Sequence, residues 1–230
     1  MITDVPPASD DAVTRSARPS ASPKPHLAAI EAFAAQAAGG TWSYRMAFKG
    51  TLRASIDSVP VTGTTEVSGA DYATTIMYDF RRDYPSMGKI RVEVRAVGGD
   101  GYRRTGSAAW RSAKAYATSQ SFVPFRVVRD SKDLQYAGEV EVDGATHYKV
   151  AIPGAILIHP NTVPALLQKE KVRLTELELT IDGRGRPRSG TWKLWGTGRV
   201  GIGVGQLQEI VYDLDLSFAK VGSKLSITRP

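Results

Sequence analysis

The sequence contains no cysteine, which excludes disulfides, thiolate metal sites, iron–sulfur clusters and cysteine nucleophiles together. Histidine is scarce as well: His26, His147 and His159 are the whole supply, and no two stand at the i, i+4 spacing of a helical zinc pair. There is no Gly-x-Ser-x-Gly elbow, no phosphate loop and no HExxH. No apolar run approaches the roughly 18 residues of a membrane span, and the first residues lack the apolar core of a signal peptide. What remains is a chain of 230 residues, 42% hydrophobic and 23% charged, enough for one sizeable core or two small ones. Its formal charge of +7 permits an anionic partner or a basic, soluble surface, and the sign alone does not choose.

Residues 1–25 hold five of the thirteen prolines, several Ser, Ala and Asp, and no aromatic. Such a composition cannot bury enough surface to order itself and reads as a flexible linker. Its three acidic and three basic residues cancel, so the excess positive charge lies on residues 26–230, read as one domain. From His26 the period is helical: Leu27, Ile30, Phe33, Ala34 and Ala37 recur on one face, prolines precede them, and Gly39-Gly40 offers a left-handed stop.

After Gly40 the period becomes two. Between Thr41 and Asp57 the even positions read Trp42, Tyr44, Met46, Phe48, Gly50, Leu52, Ala54, Ile56 and the odd ones are largely polar. At about 3.3 Å per residue one such strand would be on the order of 50 Å long, so it must bend or coil around something. The alternation recurs with Ile76, Tyr78 and Phe80, then with Ile90, Val92, Val94 and Ala96. Leu134, Tyr136, Val140 and Val142, a turn at Asp143-Gly144, and Tyr148, Val150 and Ile152 predict a hairpin. Leu177, Leu179 and Ile181 precede a turn through 182–187; Trp192 and Leu194 follow, and Ile210, Tyr212, Leu214, Leu216 and Phe218 form a last long strand. The fold class expected is α+β: a strongly curved antiparallel half-barrel of roughly nine to eleven strands, apolar on one face and wet on the other.

Two insertions interrupt the strands. Residues 112–128 read as a loop or short helix; residues 153–170 carry an apolar run with Ile156, then Asn161 or Thr162 as an N-cap and a short helix with Leu166. With the first helix, they are expected to cover the concave face, because a single-layer sheet cannot leave its apolar side in water.

Several motifs are weaker than they look. Gly196-Thr197-Gly198-Arg199-Val200-Gly201 matches the dinucleotide fingerprint, but glycines and another strand follow where a helix N-terminus is required, so a glycine-rich hairpin loop over 196–205 is expected. His147 falls beside Lys149 on the polar side of its strand, expected to be solvated, and His159 lies in the apolar insertion. Arg45, Lys49, Arg53, Arg91 and Arg95 alternate with the aromatics, while Arg103-Arg104 and Arg184, Arg186 and Arg188 are expected in turns. Sheets that bind nucleic acid place aromatic and basic residues on one face, so nucleic acid is not an expected partner.

The apolar face could be a packed core or a cavity lining. Tyrosines favour a lining, since each buried hydroxyl needs a partner or water. The expected lining residues are Trp42, Tyr44, Met46 and Phe48; Ile76, Tyr78 and Phe80; Ile90 and Val92; Tyr136, Val140 and Tyr148; Ile156 and Leu166; Leu177, Leu179 and Trp192; and Ile210, Tyr212 and Leu214.

Three stretches, Gly138 to Tyr148, Leu179 to Pro187, and Asp215 to Phe218 with Leu225 to Pro230, together with the order of elements, resemble the LolA-like lipoprotein carriers of the LppX and LprG type. The resemblance implies an eleven-stranded half-barrel closed by helices, with a closing strand pair near Tyr212 and Leu225. It also implies a cavity for acyl chains, no catalysis and action at the outer face of the cytoplasmic membrane; no cofactor and no metal are expected, and the chain is expected to be a monomer. A lipid or acylated ligand and the membrane surface are the partners implied, with a membrane transporter or a lipoprotein beside them. The implied location is extracytoplasmic, anchored through an N-terminal segment that would precede this chain.

Overall fold

The computed structural model describes residues 24–40, 42–54, 57–82, 85–112, 125, 128, 134–153, 174–199 and 207–230. The first element is α1 (Pro25–Gly39), which starts on a proline that has no donor to lose and ends at Gly40, whose φ of +61° places it in the left-handed region. Ala29, Phe33 and Ala37, each four residues apart, make its buried stripe.

Eleven strands follow: β1 (Ser43–Ala54), β2 (Asp57–Ser68), β3 (Asp71–Asp79), β4 (Lys89–Val97), β5 (Asp100–Thr105), β6 (Arg111–Ser112), β7 (Gln135–Val142), β8 (Ala145–Ile152), β9 (Leu174–Ile181), β10 (Pro187–Arg199) and β11 (Leu207–Ala219). They form one antiparallel sheet in the order β6-β5-β4-β3-β2-β1-β11-β10-β9-β8-β7. Two meanders are therefore joined at the centre, where the first strand pairs with the last from Arg45↔Ala219 to Ala54↔Ile210. The sheet stays open, with β6 and β7 at its two edges. An open, coiled antiparallel sheet with one N-terminal helix is the α+β half-barrel expected from the alternation.

The curvature is written into the backbone at Gly50. A Cβ there would stand 1.9 Å from the carbonyl oxygen of Asp213 on the neighbouring strand, so β1 and β11 close up on their inner side until only a glycine fits. Gly63 does the same service for a side chain: a Cβ would fall 2.3 Å from Phe48 Cζ.

Several expectations are corrected. The long first strand ends at Ala54, and the chain reverses so that Ala54 faces Asp57 in the register; β2, which the alternation did not reveal, carries Gly63 and Thr65 where large apolar residues would have announced it. A bulge between Tyr136 and Gly138 shifts β7 by one residue, so Val140 stands opposite His147 on the outer face instead of beside Tyr136. The segment around Leu225 is not a strand. It runs across the outer rim of the sheet: Gly222 N–H donates to Ser43 O at 2.8 Å, Arg95 Nη1 donates to Thr228 O at 3.0 Å, and Arg229 pairs with Asp100 at 2.6 Å. Gly196, Thr197, Gly198 and Arg199 belong to β10, so that part of the glycine-rich run is strand and not loop or nucleotide turn. The linker over 1–23, the two insertions apart from Ser112, Phe125, Val128 and Pro153, and residues 200–206 lie outside the described residues, as do Ile156, His159 and Leu166.

Candidate functional site on the inner face of the sheet

Alternation puts one residue in two on the inner face, and those residues form a single buried apolar cluster reaching from β1 through both meanders. Trp42, Tyr44, Met46 and Phe48 of β1, Ile76 and Tyr78 of β3, Tyr148 of β8, Leu177 and Leu179 of β9, Trp192 of β10, and Ile210, Tyr212 and Leu214 of β11 are all buried in it. Phe80 and Val92 pack against it half-buried, and Ile90 is half-buried at its margin. Tyr136 departs from the expectation: on the edge strand it is 42% exposed, its ring stacked on His26 at 4.4 Å. An edge strand has a neighbour on one side only, so half of its shielding is missing.

The helix covers one end of this face. His26 meets Tyr136 and Tyr148, and Phe33 meets Trp42 edge-on at 5.9 Å. Between them the backbone of α1 rests on the β9–β10 turn so tightly that a Cβ on Gly185 would fall 2.6 Å from Ala29 O and 2.7 Å from Phe33 N. The helix thus crosses the strand ends from β7 to β1. Phe125 completes that end, stacked on Trp42 at 4.5 Å and packed on Tyr44 and Phe218. Trp42 Nε1, buried there, has no hydrogen-bond partner among the described residues.

The β9–β10 turn itself is organised by Asp182. Its carboxylate accepts from the backbone N–H of Arg184 and of Arg186, each at 2.9 Å, and from the side chains of Arg186 and Arg188. Burial alone would raise its pKa; the N–H groups of Arg186 and Arg184 and the arginine charges outweigh that and hold the carboxyl below its ordinary range. The turn residues Arg184, through its backbone, and Arg186, together with Arg188, which lies in β10 and not in the turn as expected, are therefore set around one buried carboxylate.

The opposite part of the face carries hydroxyls. Tyr78 and Tyr212 meet with their oxygens 3.1 Å apart, Thr65 and Thr74 meet at 3.1 Å, and Trp192 Nε1 donates to Thr175 Oγ1 at 2.9 Å. Burial pushes the Tyr78 hydroxyl up to about 12, against smaller opposing effects of the bond to Tyr212 and the charge of Arg103. Burial likewise carries Tyr212 well above its usual value, helped by the Tyr78 hydroxyl beside it. Both hydroxyls are neutral and act as hydrogen-bonding groups, not as bases.

Two charged residues on this face escaped the reading of the sequence. Arg103, expected in a turn, is in β5, opposite Val94 and therefore on the inner face; Arg104, opposite Glu93, is on the outer one. Arg111 of β6 stands opposite Arg103. The only signal available was their place in a short stretch with no alternation.

On the outer face, Arg45 binds Glu66, and Arg91 and Arg104 bind Glu93. Lys149 pairs with Glu178 at 3.2 Å. Most strand cations there have a carboxylate beside them. His147 is on that face as expected but half-buried, with no hydrogen-bond partner for Nδ1 among the described residues. Neither His26 nor His147 stands in a hydrogen-bonded arrangement with a serine or carboxylate among the described residues.

No family model matches the chain and no curated protein matches it. Solved structures do. LprF from Mycobacterium bovis is similar at 13% identity and a TM-score of 0.43, over 91% of this chain and 98% of that one. A LolA superfamily protein from Nitrosomonas europaea is similar at 11% identity and a TM-score of 0.30, over 88% and 94%. A putative outer membrane lipoprotein-sorting protein domain from Vibrio parahaemolyticus is similar at 10% identity and a TM-score of 0.33, over 88% and 95%.

Proposed function

We propose that the protein is a non-enzymatic binding or carrier domain for a lipid, glycolipid or lipidated protein, held against the inner face of the sheet and acting at the cell envelope. The observation that supports this reading is the extent of one continuous apolar inner face with hydrogen-bonding groups set into it. The inner face is apolar across most of eleven strands, while the contacts of α1 among the described residues gather at one end of it. Along β1 the distance from Tyr44, at the helix end, to Leu52, which faces Tyr212 in the register, is eight residues, or about 26 Å of strand. Acyl chains laid along such a face gain about 0.8 kcal/mol for each methylene removed from water. The hydroxyl groups of Tyr78 and Tyr212 and the indole N–H of Trp42 supply a few hydrogen-bonding points in an apolar lining, which suits an amphiphile.

Displacement of a fluorescent fatty acid tests the reading. The protein is expected to take up the probe, and Tyr44→Trp combined with Tyr212→Trp is expected to reduce uptake at least tenfold by filling the space, while Arg91→Glu on the outer face leaves it unchanged. Uptake equal in all three proteins, or absent from the unaltered one, refutes the carrier reading.

A second reading, an envelope sensor or protein-interaction module, has one observation behind it. Leu27 and Tyr136, two of the large apolar residues exposed among those described, lie at the start of α1 and on β7, Leu27 next in sequence to His26 and Tyr136 stacked on it. Tyr136→Ser should then abolish capture of a protein partner without changing lipid uptake.

A further inference from the structure

Most polar groups set into the inner face are answered from within the chain. Tyr78 and Tyr212 share a hydrogen bond, as do Thr65 and Thr74, and Trp192 Nε1 donates to Thr175 Oγ1. Trp42 Nε1 differs. The residue is 6% exposed, its indole N–H is buried, and that N–H has no hydrogen-bond partner among the described residues. An indole nitrogen only donates, and burying it without an acceptor carries a cost in free energy that a phenylalanine at the same place would not. Orphaned buried donors are rare in folded proteins, so this one calls for an acceptor.

The surroundings of Trp42 say what kind of acceptor fits. It stands at the end of the inner face that α1 covers: Phe33 meets its ring edge-on at 5.9 Å, Phe125 stacks on it at 4.5 Å with the two planes 6° apart, and Tyr44 meets it edge-on at 6.4 Å. None of these three rings carries a charge, and only that of Tyr44 carries a polar atom. A water molecule needs several polar partners to be held in such a place. A carboxylate or phosphate would be stripped of solvent with no cation among these rings. A neutral acceptor borne by an otherwise apolar ligand meets neither objection, and Met46 and Phe48, buried on the same strand and face, continue the apolar surface away from it.

We propose that Trp42 is the polar anchor of the ligand site: its Nε1–H donates to the ester or amide carbonyl of an acyl lipid whose chain runs from the α1 end of the inner face toward Leu52 and Tyr212. A carbonyl oxygen accepts a hydrogen bond without charge and joins directly to the methylene chain, so one group satisfies the buried donor while the rest of the ligand stays apolar. The inference rests on the carrier reading given above and adds to it which end of the face takes the polar group and what that group is.

The test uses the whole chain and two probes of equal chain length, methyl laurate and tetradecane, each titrated against the bound fluorescent fatty acid. Trp42→Phe removes the donor and keeps an aromatic ring, so any loosening of the packing acts on both probes alike. The substitution is expected to weaken methyl laurate relative to tetradecane by about fivefold, the worth of one net hydrogen bond. A measurement on the unaltered protein stands beside it: the indole N–H proton resonance of Trp42 should move downfield when methyl laurate binds and stay in place when tetradecane binds. A ratio of the two probes that the substitution leaves unchanged, or an indole resonance that methyl laurate does not move, overturns the anchor while the carrier reading stands, since both probes bind. Displacement by neither probe overturns the carrier reading and the anchor together.

Discussion

Two hydroxyls 3.1 Å apart inside an apolar face, those of Tyr78 and Tyr212, are each other's answer to burial. Removing the Tyr212 hydroxyl takes the 3.1 Å bond away from the buried hydroxyl of Tyr78, so Tyr212→Phe should cost about 1–3 kcal/mol, and the double Phe variant should cost less than the sum of the two single changes. A double-mutant cycle from urea unfolding measures the difference; additive losses would show that the pair does not couple. Their titration has a definite sign. The folded protein holds these protons more tightly than the unfolded chain, whose tyrosines titrate near 10, and Tyr78 is pushed up to about 12. Stability from this pair is therefore complete below about pH 10 and is lost as the pH rises toward 12. The double Phe variant should show a shallower alkaline loss than the unaltered protein. At this scale the sequence was informative about identity but not about pairing: alternation placed both tyrosines on the inner face, but they are 134 positions apart, and only the β1–β11 pairing brings them together.

At the scale of the element, the helix and the sheet meet through a glycine. Gly185 has φ of +72° and lies against the α1 backbone at Ala29 and Phe33. Gly185→Ala meets both a left-handed backbone and a steric conflict, and should lower stability by about 2 kcal/mol or more. The urea midpoint would register that as a clear fall; an unchanged midpoint would mean that α1 is not seated on this turn. The elements differ in how far their sequences betrayed them. β1 and β11 were legible because their inner positions are nearly all large and apolar, and α1 because its buried stripe and its glycine stop agree. β2 was not, because Gly63 must make room for Phe48 and Thr65 is satisfied by Thr74, so its inner face lacks the large residues that alternation looks for. The face of Val140 was misread for another reason: one extra residue at the β7 bulge reverses every side chain after it, and nothing in the residue types marks the bulge. Arg103 and Arg111 were hidden because β5 and β6 are short and do not alternate.

At the scale of the whole molecule, the +7 charge is distributed over a sheet that sorts its residues by side. Outer-face cations are mostly balanced by Glu66, Glu93, Glu178 and their neighbours, and most of the aromatics lie on the opposite face, with Trp110, under Arg95 and Arg104, an exception. An apolar inner face of this extent, with its described helix at one end, is consistent with a tyrosine-rich lining and with the close approach of β1 and β11 at Gly50. Native mass spectrometry of the protein after mild extraction tests that account most directly. It predicts a population carrying an adduct of acyl-lipid mass, released by organic extraction and lost in the Tyr44→Trp, Tyr212→Trp variant. A single unliganded mass that stays unchanged on incubation with acyl lipids would contradict it.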